Sequence, residues 1–89
     1  MSELAREPDE LTRFLAELVA GVSDGEVTAA EVLAAPLSFA ALGVTSLAQL
    51  RLIDEVERAF DIDIDFPEDA SDLRSLAVCL RRHGVQGPP

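Results

Sequence analysis

The distribution of apolar residues predicts an all-α protein, a bundle of three main helices plus one or two short ones. Over residues 9–22, Leu11, Phe14, Leu15, Leu18, Val19 and Val22 recur at helical spacing and form one stripe. A second helical stretch spans 46–60, and a third, carrying Leu73, Leu76, Ala77 and Leu80, spans 71–82. The only strand-like alternation, Asp61-Ile62-Asp63-Ile64-Asp65, is too short and too isolated to build a sheet.

Each element has its own punctuation. Asp9 or the preceding Pro8 can start the first helix, and Ser23-Asp24-Gly25 stops it. Thr28-Ala29-Ala30-Glu31 has capping-box spacing, which predicts a short helix carrying Val32 and Leu33 that ends near Pro36. Residues 37–45 read as an apolar-rich connection with Gly43 as its flexible point. On the 46–60 helix, Gln49, Ile53, Val56 and Phe60 share one side of the wheel, with Leu50 and Leu52 flanking it. The 61–65 segment is expected as an extended loop that turns Ile62 and Ile64 inward. Pro67 suits the first turn of a short helical piece, and Ser71 is placed to cap the last helix. Arg81, Arg82 and His83 lie where the helix dipole favours cations, and Gly84 can end the helix. The expected organisation is a flexible N-terminus at 1–8, one domain over 9–83 and a flexible tail at 84–89.

Length and charge exclude several function classes. The 89 residues allow one core, and a chain this short buries only about 60–65 % of the surface it exposes when unfolded, so a deep substrate cavity is not expected. One cysteine excludes an internal disulfide. No apolar run approaches the ~20 residues that cross a bilayer, and the acidic N-terminus lacks a signal peptide's apolar stretch, so a cytoplasmic protein without a membrane partner is expected. Seventeen acids against seven arginines and no lysine give a formal charge of −10, which would repel a nucleic-acid backbone. The acids concentrate between Asp54 and Asp72, a pattern that serves either as a solvated face or as a surface that attracts basic partners.

The side chains that make an enzyme are sparse. His83 reads as a helix-terminal surface histidine, and Cys79, between Leu76 and Leu80, as a partly buried structural thiol. One cysteine and one histidine cannot build a zinc site. Asp61, Asp63, Asp65, Asp69 and Asp72 have the spacing of a calcium loop, but Phe66 stands where that loop needs glycine. Pro67 restricts the following carbonyl, and Asp72 is one methylene shorter than the usual glutamate, so no metal site is expected. A catalytic residue is not expected either.

The segment Leu42-Gly43-Val44-Thr45-Ser46-Leu47 ends a loop and opens an amphipathic helix. Thr45 can supply the helix cap, which leaves Ser46 in the first turn with a free hydroxyl. The first turn also offers unpaired amides and the positive end of the dipole, so a phosphodiester on Ser46 would sit in a favourable field. Leu47 projects with Arg51, Asp54 and Arg58, beside Ala48 and Glu55, as a leucine framed by charges. From the residues alone this is a helical binding module centred on the 46–60 helix.

At these residues the sequence resembles the phosphopantetheine-dependent carriers of fatty-acid, polyketide and nonribosomal-peptide synthesis. The resemblance runs through Leu42-Gly43-x-x-Ser46-Leu47, Arg51-Leu52, Glu57, Phe60, Ile62 and Ile64, continues in the 71–80 helix, and covers roughly residues 9–82. It implies an acyl-carrier-like bundle with Ser46 as the attachment point for 4′-phosphopantetheine taken from coenzyme A. It also implies a partner surface of Leu47, Ala48, Arg51, Asp54, Glu55 and Arg58. Implied partners are a phosphopantetheinyl transferase, an acyl-loading enzyme such as an adenylation enzyme or acyltransferase, and ketosynthase, condensation or tailoring enzymes. The resemblance further implies a non-catalytic carrier; it is expected to be monomeric and, with no flanking domain in the sequence, free-standing. Thr45 stands where the family usually has Asp, or His-Ser in peptidyl carriers. Ala48 and Arg51 stand where fatty-acid carriers tend to have acids, so the resemblance favours peptidyl and specialised-metabolism carriers. The alternative that the residues leave open is an unmodified carrier-like adaptor docking partners through the same helix.

Overall fold

The computed structural model describes residues 9–34, 36–64 and 70–89. Among these residues the order is α1 (Glu10–Val22), α2 (Ala29–Ala34), α3 (Ser46–Phe60) and α4 (Leu73–Arg82), with no strand, so the fold is all-α as predicted. The N-terminus at 1–8 and the helical piece expected at Pro67 lie outside the described residues.

Helix α1 is the element against which the other three pack. Its stripe, Leu11, Leu15, Ala16 and Val19, is buried, with Phe14, Leu18 and Val22 at the margin. Asp9 starts it by accepting the Thr12 amide at 2.8 Å. Ser23 ends it: the buried hydroxyl donates to Ala20 O at 2.8 Å and accepts the Val27 amide at 3.1 Å. Asp24 and Gly25, both at positive φ, then reverse the chain. The Thr28–Glu31 capping box forms reciprocally. Thr28 Oγ1 accepts the Glu31 amide at 3.1 Å, and Glu31 Oε1 accepts the Thr28 amide at 2.9 Å.

The connection between α2 and α3 is pinned by Phe39, whose side chain is fully buried. Its amide donates to Ser71 O at 2.8 Å, and its carbonyl accepts the Val44 amide at 2.9 Å. One residue thus joins the approach to α4 and the approach to α3, alongside an isolated bridge between Ser38 and Asp72. That pairing corrects the expected cap of the last helix. Ser71 is held in the bridge by its carbonyl, so α4 starts one residue later, with Asp72 accepting the Ser75 amide at 2.7 Å.

Helix α3 buries Ala48, Leu52 and Val56, with Ile53 and Phe60 partly covered. Leu50, expected to flank the core, is 63 % exposed. The physical reason is angular, because Leu50 is two residues, about 200°, from both Ala48 and Leu52. After α3, Glu57 secures the turn. Its carbonyl accepts the Ile62 amide at 3.1 Å and its carboxylate the Ile64 amide at 2.7 Å, which directs Ile64 into the core and Ile62 against it.

Helix α4 buries Leu76, Ala77 and Leu80. It closes with a double bond pattern around Gly84 at φ 89°, Gly84 N–H to Arg81 O and Val85 N–H to Leu80 O, both 3.0 Å. Val85 packs partly buried against the core.

Asp9 also pairs with Arg81, tying the first turn of α1 to the last turn of α4. The Thr12 bonds foremost, and then the Arg81 charge, hold the Asp9 carboxyl below its ordinary value of 3.8. A depressed folded pKa means stabilisation that is present above the unfolded value and lost as pH falls through the folded one. Asp9→Ala is therefore expected to cost about 1 kcal/mol at neutral pH, mostly as a lost cap because the Arg81 pair is half-exposed. Thermal unfolding of both proteins should show this gap at pH 7 and its narrowing below the ordinary carboxylate value.

Candidate functional site

The start of α3 is built by the segment that Phe39 pins. Gly43 turns the chain at φ 94°, with its amide on Ala40 O at 3.0 Å, and Val44 is buried. Thr45 takes the cap in extended backbone. Its Oγ1 accepts the Ala48 amide at 3.1 Å and its carbonyl the Gln49 amide at 2.9 Å. Gln49 locks the corner from inside the helix, donating its side-chain amide to Val44 O at 3.0 Å.

Ser46 is consequently the first helical residue and is exposed. No hydrogen bond among the described residues engages its hydroxyl, because Thr45 already serves as the cap. An α-helix leaves its leading amides without intrahelical acceptors, and the first turn of α3 contains no acid to offset them. In a chain of net charge −10 this is a local site suited to an anion attached through Ser46 Oγ. The start of α3 is bordered by two grooves, each about 320 Å³. One lies between α3 and the 70–71 turn, with Phe39, Leu50, Ile53 and Ser71 on its walls. The other lies on the Leu47 side, with Asp24, Glu26, Thr45 and Arg51.

The structure brings most of the expected partner residues onto one face. Leu47 is 61 % exposed, and Arg51, Asp54, Glu55 and Arg58 are exposed along the same side of α3. The two arginines do not stand out as isolated cations. Arg58 bridges Asp54 at 2.9 Å and Glu55 at 3.6 Å, and Arg51 reaches Asp24 at 3.9 Å. Such exposed pairs add little stability, so their effect is to fix a charge pattern. Ala48 is the exception and a correction: it is 6 % exposed and belongs to the core, because the i, i+4 stripe Ala48–Leu52–Val56 faces α1. Leu50 is the residue that the sequence reading missed. It stands one turn from Leu47 on the exposed side, and its angle from the Ala48–Leu52 stripe is the signal that would have found it.

The other sequence candidates stay outside this site. His83 is exposed at the end of α4 with Nδ1 3.0 Å from Cys79 O, and Cys79 is partly buried. The described residues contain no group of three or more metal-ligating side chains, and Asp65 and Asp69 of the calcium-loop spacing lie outside them. No helix among the described residues is long and apolar enough to cross a membrane.

Fold and site together define a helical scaffold that offers an unengaged serine at the open N-terminus of its longest helix. Residues 13–80 match the family described as phosphopantetheine attachment site, and the chain belongs to that family. It is a carrier protein whose cofactor is covalently attached 4′-phosphopantetheine. No curated protein and no solved structure matches the chain. The local geometry at Ser46 fits such a group: an exposed hydroxyl, leading amides without an acid beside them, and an apolar-sided groove next to it.

The cap is separable from the Ser46 hydroxyl. Thr45→Val removes the acceptor of the Ala48 amide and should cost about 1 kcal/mol, whereas Thr45→Asp keeps an acceptor and adds a charge that the dipole favours. Urea midpoints should therefore fall for Val, and for Asp stay at or above the wild-type value.

Proposed function

We propose that Ser46 is the attachment point, and that the protein carries acyl or aminoacyl intermediates between separate enzymes in polyketide or nonribosomal-peptide type biosynthesis. The observation that carries this reading is the division of labour at the start of α3. Thr45 makes the cap, so the neighbouring hydroxyl of Ser46 is left exposed and free to react. When bound, the arm supplies a terminal thiol on which such cargo is held as a thioester. The chain itself orients the attachment and offers a docking face, and it performs no catalysis.

That face consists of Leu47 and Leu50 as apolar contacts, framed by Arg51, Asp54, Glu55 and Arg58. Paired charges of both signs around two exposed leucines suit partners that read a pattern rather than a bulk negative charge. The proposed partners are a phosphopantetheinyl transferase, a loading enzyme (an adenylation enzyme or an acyltransferase), and ketosynthase, condensation or tailoring enzymes. We place the protein in the cytoplasm as a monomer.

Incubation with coenzyme A, magnesium and a promiscuous phosphopantetheinyl transferase tests the assignment by intact mass. Wild type should gain one phosphopantetheine, and Ser46→Ala none, with an unchanged helical circular-dichroism spectrum. A loaded Ser46→Ala protein would contradict the assignment, and an unloaded wild type beside a loaded control carrier would favour the unmodified adaptor.

A further inference from the structure

Among the described residues the large exposed apolar side chains fall into two pairs. Leu47 and Leu50 flank Ser46, whereas Leu37, 46 % exposed, and Val78, 40 % exposed, lie on a different groove. This second groove, about 670 Å³, runs between α2 and α4 and shares no lining residue with the grooves that border Ser46. Leu33 and Leu73 extend its apolar floor, and Arg74 and Arg81 stand at its rim.

The groove lining carries two arginines, Arg74 and Arg81, against one acid, Asp72. Helix α4 holds Arg74, Arg81 and Arg82, three of the seven arginines, and no acid, in a protein of net charge −10. Arg81 is engaged by Asp9, and Asp72 is engaged in capping α4, while Arg74 has no ion-pair partner among the described residues. An apolar floor with a cationic rim is complementary to a segment that presents leucines on one side and carboxylates beside them. The occupant's form follows from the walls. Two helices bound the groove, no open strand edge exists among the described residues for an added strand to pair with, and α4 is about 15 Å long, which matches two to three turns of helix.

We infer that the α2–α4 groove is a second docking site, which takes an acidic amphipathic helix from a partner protein. The site is independent of the proposal for Ser46. With separate linings, a partner held on α4 leaves the start of α3 open, so one enzyme can be retained while another addresses the arm.

The test uses isotope-labelled full-length protein and a synthetic three-turn helix with leucines at i, i+3, i+4 and i+7 and glutamates elsewhere. A second peptide has every glutamate replaced by lysine. Amide shifts should move at Leu33, Leu37, Arg74 and Val78 with the acidic peptide alone. Arg74→Glu and, separately, Val78→Glu should weaken binding about tenfold or more, while Ser46→Ala leaves it unchanged. Equal binding of both peptides, shifts confined to α3, or no saturable shift would overturn the inference. So would groove shifts that follow the protein's own concentration without peptide, since these would assign the groove to a second copy.

Discussion

The burial of Phe39 is the constraint on which the rest of the structure depends. A ring taken fully out of water contributes about 1.5–3 kcal/mol, and here that burial also immobilises a connection with no regular structure of its own. Because its amide bonds Ser71 and its carbonyl bonds Val44, the same residue sets where α4 begins and where α3 begins. An irregular segment after the short helix α2 would otherwise leave the start of α3 poorly defined. With Phe39 seated, Val44 is buried behind it, Thr45 is held in the extended conformation that a cap requires, and Ser46 follows as the first helical residue.

From that position the chemistry is electrostatic. The protein is strongly acidic, yet the first acid of α3 is Asp54, two turns beyond Ser46. The positive end of the helix is therefore not offset locally, although the whole molecule would repel an anion. Covalent attachment at Ser46, as proposed, would resolve the conflict by holding the phosphodiester at the one end of α3 where its charge is favoured. Further along α3 the arginines are tied to Asp54, Glu55 and Asp24, giving a patterned surface rather than a uniformly negative one. The basic side of the molecule is α4, on a separate groove.

Local signals were legible in the sequence, and tertiary ones were not. The bounds of α1, the Thr28–Glu31 box, the span of α3 and the inward turn of Ile64 all rest on residues within a few positions of each other. Thr45 as cap and Ser46 as the free hydroxyl belong to the same class, since both follow from where one helix starts. The Ser71–Phe39 bond lies outside that reach, because it joins residues far apart in the chain. It moved the cap of α4 to Asp72. Ala48 and Leu50 exchanged roles because the wheel shows which residues share a side but not which side α1 will cover. The packing of Val85 is of the same kind, since it depends on a terminating hydrogen-bond pattern and on a core that only the folded chain presents.

The most direct measurement is a phosphorus–proton correlation spectrum of the loaded protein. A phosphodiester signal should correlate with the β-protons of Ser46, and with no other residue. Thr45 and Ser71 offer neighbouring exposed side-chain hydroxyls, so correlation with either would contradict the account that Thr45 serves as the cap while Ser46 carries the arm.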